Sequence, residues 1–538
     1  MSKPFLRTPP FPGHRGRTLT QFGTNQFDPK AAFTALKTER VGGAFWANPV
    51  RLKPGCDLVL VPDNAAQLAL MQHHVCEPGI TVVLPPGMAA PLGLVSICGS
   101  FDPWTVAEQA REVWAGSNRE LATVAALLGK PVRLFDDRHP MSPQPDLLAE
   151  LRQELAGQDY SNPFTGDPWD LPSVIAQLGE WRRLIEANRD FHAIYGVALW
   201  KRVTIDPLLW DGTGPVRHAR EVSRDLKPPT RVLAWKSRTP RRVLAELEKR
   251  GITVSELEDG FIRSIGLGAN CVPPLSVIVD RSGIYFDPNQ PSDLEAMLEY
   301  GELPDTWVKR SMALQAKLVQ AGISKYGRER VERAQTSPGR RRVLVTGQVE
   351  DDRSVLSGGG NCSNLELIAR ARQHEPEAWI IYKPHPDVEA GHRKGQVSAT
   401  EALRHANAIE HKGAIAGLIE SVDALHVITS LAGFEALLRG KSVTTHGQPF
   451  YAGWGLTNDL GPANPRRTRR RSLDELAAAA LIGYPRYVDP VTRLPCPPEI
   501  VVARIARGEA AVSSPLVTLR QWQGRLALLW RGLTGRLA

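Results

Sequence analysis

Residues 258 to 264 read Glu-Asp-Gly-Phe-Ile-Arg-Ser and follow an apolar run from Ile252 to Leu257. Charges are poor core material, but at a strand end they stay hydrated or meet a ligand in a crevice. Glu258 and Asp259 are therefore candidates for active-site carboxylates, although a solvated strand-to-loop turn has the same composition. A second motif, Tyr382-Lys383-Pro384-His385-Pro386-Asp387, ends another apolar run, and its prolines fix the backbone around the histidine. Lys383 and His385 presented in this way suit a phosphate oxygen; an ordinary turn is the alternative. The third motif, Thr429-Ser430-Leu431-Ala432-Gly433-Phe434-Glu435, follows a run and opens a helical pattern. Thr429 or Ser430 can cap that helix where free N–H groups favour an anion. Glu435 can accept hydrogen bonds from ribose hydroxyls, or serve in capping or a surface ion pair. A fourth element joins Gly347-Gln348-Val349-Glu350-Asp351-Asp352 to Ser357-Gly358-Gly359-Gly360-Asn361. Its glycines let backbone amides approach a phosphate, but no Gly-Lys-Ser/Thr follows, so it is not a P-loop.

Strands and helices must alternate to hold these motifs. Strands are predicted at 231–235, 252–257, 275–279 and 283–286, with a helix at 241–249 between the first two. Helices are predicted at 292–299 and 306–321. A second alternating set has strands at 342–346, 379–382 and 424–428 and helices at 364–373, 414–421 and 431–438. Two consecutive α/β domains with largely parallel sheets imply a substrate cleft between them. Nearer the start, residues 57–62 and 80–84 read as buried strands and 105–128 as helix. A Pro-rich linker is expected from about 139 to 170, then helix from 171 to 201 with Trp181, Leu184, Ile185 and Phe191 as core. One weak internal repeat stands out. Residues 110–132 and 422–443 both run strand, helix, Gly-Lys, strand, and Thr123 and Val124 fall near where the later copy has Glu435.

A chain of 538 residues is too long for one core. No apolar run reaches the ~20 residues a membrane helix needs, and residues 1–20 lack a signal's apolar region. A cytosolic location is the expectation. The six cysteines are scattered with no CxxC pair, which argues against a zinc site or disulfide framework and predicts small buried residues. The net charge of +9 is partly clustered, in Arg466, Arg467, Arg469, Arg470 and Arg471 and in a tail punctuated by Arg520, Arg525, Arg531 and Arg536. Such clusters suit anionic partners, or form a solvated basic face. No nucleic-acid motif accompanies them.

The order of an acidic pair, a His-Pro and a Ser/Thr motif resembles glycosyltransferases with two Rossmann domains that use CMP-activated acidic sugars. Residues 258–268, 348–352, 382–387, 429–436, 448–456 (Gln-Pro-Phe-Tyr-Ala-Gly-Trp-Gly-Leu) and 466–472 together resemble the capsule-polysaccharide β-Kdo transferase family of KpsC type. The resemblance covers about residues 160 to 510. It implies an α/β fold of two Rossmann-like domains of GT-B type facing across a cleft, preceded by a partial α/β domain. The implied division is a degenerate transferase module at 1–145, a helical region at 146–225, a catalytic domain at 226–335, a CMP-sugar domain at 336–510 and an amphipathic basic helix at 511–538. It implies retaining transfer of Kdo from CMP-Kdo to a lyso-phospholipid-linked Kdo acceptor, with no cofactor or metal, at the inner membrane face beside capsule assembly and export proteins. Nucleic acid is not an implied partner.

The resemblance makes Asp259 the nucleophile and gives Glu258 a supporting part. Arg263 and Ser264 would hold the sugar's carboxylate, with Gln348 and Asp351 shaping the cleft. Lys383, His385, Thr429 and Ser430 would meet the CMP phosphate and Glu435 the ribose. Leu519, Trp522, Leu526, Leu529, Trp530 and Leu533 would form an interfacial helix face or dock on the core. A transferase for another CMP-activated acidic sugar and a non-catalytic export protein are the alternatives. A dinucleotide site at Gly266-Leu267-Gly268 lacks its third glycine.

Overall fold

The computed structural model describes residues 3–16, 19–76, 79–264, 272–324, 327–328, 339–391, 393–412 and 414–510. Gly266 to Gly268, Cys271 and the expected C-terminal amphipathic helix with its arginines lie outside the described residues. The chain divides into two compact units: 1–190 with 206–216 and 492–494, and 191–205 with 217–491 and 495–538.

In the first unit a five-stranded parallel sheet is built from Leu58–Val61, Ile80–Val83, Val95–Ile97, Glu112–Ala115 and Val132–Leu134. Numbered along the chain these strands lie in the order 3-2-1-4-5, a doubly wound arrangement. Leu58–Val61 reads Leu-Val-Leu-Val and is buried throughout, as a strand covered on both faces must be. The helix expected from 105 to 128 is instead two helices, Pro103–Gln109 and Glu120–Leu127, with Glu112–Ala115 between them. A four-residue buried strand is too short for periodicity to distinguish from a helical turn. The expected linker holds the helix Leu147–Ala156, whose Leu147, Leu151 and Leu155 are buried and whose first turn is capped by Asp146. Trp181 is core as expected, edge-on to Phe11, which also meets Trp210.

The second unit carries two sheets. The first contains His218–Ala219, Phe191–Tyr195, Arg231–Ala234, Thr253–Asp259, Ser276–Asp280, Pro485–Val488 and Pro495–Cys496, in that spatial order. Its pairings are parallel up to Thr253–Asp259 and antiparallel beyond it. Phe191–Tyr195 interrupts the helix expected to run to Lys201; the chain re-enters helix at Leu199–Leu209. Residues 283–286 are not a strand, because the Asp280 carboxylate accepts the N–H groups of Ser282 and Gly283 and turns the chain. The second sheet is wholly parallel, with Ala408–Ile409, Trp379–Lys383, Arg342–Thr346, Ala424–Val427, Ser442–Thr445 and Asn458–Asp459 in spatial order. Along the chain that is 3-2-1-4-5-6, the Rossmann order, which reverses between Arg342–Thr346 and Ala424–Val427. The α/β class with Rossmann-like sheets is thus the observed one.

Two expectations about side chains are corrected. The arginine run is largely turned inward. Arg466 and Arg467 share the buried Glu295, Arg467 also donates to Pro449 O and Ala452 O, and Arg471 donates to Leu298 O, Gly301 O and Glu475. These guanidiniums satisfy backbone carbonyls as well as carboxylates, a task suited to a planar fork of five donors. Among the described cysteines, Cys362 is buried, but Cys76 and Cys98 are exposed.

Candidate active site

Asp259 ends the strand Thr253–Asp259, and Gly260 follows because the chain there crosses close to its neighbour. A Cβ on Gly260 would lie 2.2 Å from Ser276 Oγ. The chain then turns Arg263 back onto Asp259, with Arg263 Nε 2.8 Å from Asp259 Oδ2. Arg263 Nη1 donates to Ser264 Oγ at 2.7 Å and Nη2 to Val272 O at 3.3 Å. The other carboxylate oxygen, Oδ1, is 3.4 Å from Lys201 Nζ, supplied by the helix Leu199–Leu209. Lys201 Nζ also lies 3.2 Å from the centre of the Trp235 ring. Burial pushes the Lys201 ammonium down to about 8, against the opposing pull of Asp259.

The two adjacent carboxylates have different surroundings. Glu258 Oε1 accepts the Asp259 backbone N–H at 3.0 Å, and its Oε2 is 3.9 Å from Arg353 Nη1. Arg353 also pairs with Glu256, which is buried and takes Lys236 Nζ at 2.9 Å on its other oxygen. Glu256 and Glu258 lie two apart on a strand and so share a face. Arg353 opens the short helix Arg353–Gly358, capped by Asp352, directly after the loop that carries Gln348. This arginine therefore ties the acidic strand of the first sheet to the switch point of the second.

At that switch point Gln348 bridges the ends of the neighbouring strands Arg342–Thr346 and Ala424–Val427. Its Oε1 accepts Thr429 N–H at 2.8 Å and its Nε2 donates to Thr429 Oγ1 at 3.1 Å. Ser430 caps the helix Leu431–Leu437 through Ala432 N–H, and its own carbonyl accepts from Tyr451 Oη. Tyr451 can approach because residue 433 is glycine; a Cβ there would lie 2.2 Å from its hydroxyl. Glu435 sits on this helix and is nearly buried. His385 caps Pro386–Glu389, its Nδ1 accepting Asp387 N–H at 3.2 Å. That bond assigns the ring proton to Nε2, which remains a donor. Lys383 is buried and donates to His411 O at 2.7 Å. Asp351 is partly exposed and ion-paired with Arg393 at 3.1 Å.

The motifs are also joined by their apolar residues. Phe261 of the acidic motif packs on Phe434 of the Ser/Thr motif at 6.1 Å and on Phe450 at 4.7 Å, within one core cluster. Lys201, Trp235, Arg353 and this aromatic junction were missed by sequence reasoning. Lys201 is 58 positions from Asp259, and no spacing links them. The aromatics were visible inside the motifs, where polar neighbours drew the reading.

One sheet of the second unit thus ends in a cation-flanked carboxylate, and the other in a switch point bearing hydroxyls and a histidine, the place where open α/β sheets hold ligands. The family described as capsule polysaccharide biosynthesis protein matches residues 230–321 and 309–487. The β-Kdo 2,7 transferase of Thermosulfurimonas dismutans KpsC is 34% identical over 59% of this chain and 99% of its own, with a TM-score of 0.48. The β-Kdo 2,4 transferase of the same protein is 32% identical over 58% and 98%, with a TM-score of 0.49. Capsule polysaccharide modification protein LipA of Neisseria meningitidis serogroup A is 38% identical over 68% of this chain and 56% of its own length. Lipopolysaccharide-processing protein LpsZ of Rhizobium meliloti is 46% identical over 44% and 55%. This chain belongs to the capsule polysaccharide biosynthesis family, and it spans just over half the length of the curated relatives it matches.

Proposed function

We propose that the second unit is a retaining β-Kdo transferase that moves Kdo from CMP-Kdo onto a Kdo-bearing lipid acceptor in building the capsule linker. The observation that carries this reading is Asp259, presented at a strand end with a cation on each oxygen. Retention by double displacement needs such a carboxylate. Asp259 Oδ bonds to the anomeric carbon as the bond to phosphate breaks, its electron pair leaving with CMP. The acceptor oxygen then displaces Asp259, whose pair returns to the carboxylate as the hydroxyl proton passes to water.

Arg263 and Ser264 are adjacent donors for the sugar's carboxylate, exchanging their mutual bond for the ligand. His385 Nε2–H, Lys383 and the hydroxyls of Thr429 and Ser430 serve the CMP phosphate, and Glu435 the ribose. Gln348 holds the switch point and Asp351 the loop beside it. Loss of a single phosphate ester requires no metal. The enzyme works at the inner face of the cytoplasmic membrane as a peripheral protein beside the capsule export machinery; among the described residues no helix is long and apolar enough to cross a membrane. The reading extends to the first unit, whose sheet is a degenerate copy of the nucleotide-bearing one. Incubation with CMP-Kdo generated in situ and a synthetic lipid bearing one or two Kdo residues tests it. A new β-Kdo linkage by mass spectrometry and NMR is expected; CMP binding without product would move the reading to a non-catalytic assembly protein.

A further inference from the structure

Two cations converge on Asp259, and one of them is an unusual choice. The Lys201 side chain is 3% exposed, whereas Asp259 retains 20%. Its ammonium is sandwiched between Asp259 Oδ1 and the face of the buried Trp235. Arg263, the second cation, is equally buried. A cluster that desolvates two cations around one partly exposed carboxylate, with Glu258 as a further anion acting on Lys201, is a costly stability device. An apolar side chain against Trp235 would fold at least as well. Costly placement of this kind at a strand-end carboxylate belongs to function.

We propose that Lys201 is a positioning residue for Asp259, fixing Oδ1 while Arg263 fixes Oδ2, so that the carboxylate is held in one attacking orientation. The inference rests on the reading of Asp259 as nucleophile. Lys201 is not the base for the acceptor. In a double displacement the acceptor enters on the face that CMP leaves, opposite the carboxylate, whereas Lys201 stands on the carboxylate's own side. Its second effect comes when the sugar is esterified to Asp259 and the negative charge is gone. Lys201 and Arg263 then face a neutral ester, and both favour return of the carboxylate as leaving group. The arrangement requires Lys201 to be protonated, and the charged groups facing it are Asp259, Glu258, Arg263 and Arg238.

The test compares Lys201→Met, Lys201→Arg and Asp259→Ala in transfer from CMP-Kdo, with melting temperatures. Lys201→Met is expected to lower kcat about tenfold to a hundredfold, the cost of a slightly misplaced reacting group, with KM for the donor and the melting temperature held. The wild-type kcat should fall as pH rises through about 8, where Lys201 loses its proton. Lys201→Arg should recover part of the rate and lose that alkaline limb, because a guanidinium stays charged. An unchanged kcat in Lys201→Met, or an alkaline limb surviving in Lys201→Arg, overturns the proposal. Should Lys201→Met fail to fold, the pH profile of Lys201→Arg decides alone. An active Lys201→Met beside an inactive Asp259→Ala sinks this inference only; an active Asp259→Ala sinks the nucleophile on which it rests.

Discussion

The parallel sheet of the first unit and the wholly parallel sheet of the second share strand order through their first five strands, and they share more than order. Two positions past the first strand of each, a side chain reaches two positions past the fourth. In the second unit it is Gln348 to Thr429; in the first it is Asp63, which accepts Ser117 N–H at 2.7 Å and Ser117 Oγ at 2.8 Å. The internal repeat lies at this same place in both sheets, as strand, helix and strand with Gly129-Lys130 or Gly440-Lys441 in the turn. The differences fall at the mouth of the crevice. Where the second sheet presents His385 and Glu435, the matching positions of the first are Pro85 and Thr123. Where the second has a neutral amide, the first has a carboxylate that would repel a phosphate. The two sheets thus share strand order and switch-point bridging and differ in the side chains beside the bridge.

The largest effect should come from the residue with no counterpart in the first unit's sheet. Asp259→Ala is expected to reduce transfer by about four orders of magnitude or more, as loss of a covalent nucleophile does, and also to lower the melting temperature, because the buried Lys201 and Arg263 lose their anion. Asp63→Ala should leave transfer intact in the same assay. A comparable loss from Asp63→Ala would mean that the first unit's crevice also does chemistry, and would break the comparison.

Next in size is the aromatic junction that unites the second unit's motifs. Phe261 is 4% exposed and touches Phe434, Phe450 and Tyr285. Phe261→Ala is expected to cost about 3–5 kcal/mol in denaturant unfolding of that unit, from lost transfer energy and the cavity left behind. A cost below ~1 kcal/mol would show that the junction is loosely packed and does not set the position of Asp259.

The third test uses a pair that the two sheets fill differently. His426 and His446 are buried with Nδ1 and Nε2 3.0 Å apart; burial first, then His446 acting on His426 and Arg370 acting on His446, pushes them down to about 3 and about 4. The matching positions hold Trp114 and Phe135, with ring centres 5.3 Å apart. A depressed histidine contributes stability above its unfolded pKa of ~6.5 that is lost as pH falls toward the folded value. Between pH 7 and pH 5 each imidazole should shed about 2 kcal/mol. Amide exchange at pH 5 should therefore open the second unit's parallel sheet before the first unit's, and His446→Phe should narrow the gap. Equal acid sensitivity in both sheets would refute the assignment.

Three of the six strands of the wholly parallel sheet were legible as mainly apolar runs bounded by motif residues, and Arg342–Thr346 is found where it was expected; Ala408–Ile409, Ser442–Thr445 and Asn458–Asp459 are too short or too polar to read that way. The first unit was harder. Its Glu112–Ala115 strand is embedded between helices of similar composition, and the helix Leu147–Ala156 hides in a Pro-rich stretch. Within the site, a single turn brings Arg263 onto Asp259 and Ser264, a contact the sequence reading did not foresee. Lys201 and Arg353 meet the acidic strand through tertiary packing, which leaves no periodic trace. The arginine run misled because a run of charge reads as surface until its carboxylate partner, Glu295, is placed beside it.

The finest test exchanges the bridges themselves. Gln348→Glu would give the second sheet the charge that Asp63 gives the first. A carboxylate at 348 can still accept Thr429 N–H, and the Thr429 hydroxyl can turn to donate, as Ser117 does to Asp63. Stability should therefore change by less than ~1 kcal/mol. Affinity for CMP in calorimetry should nevertheless fall by about tenfold to a hundredfold, because the new charge faces the phosphate. Unaltered CMP affinity would place the phosphate away from the switch point and assign the difference between the sheets to His385 and Glu435 instead. Loss of the fold in Gln348→Glu would show that the amide's donor, rather than its acceptor, holds Thr429, and that the two bridges are alike in position but not in kind.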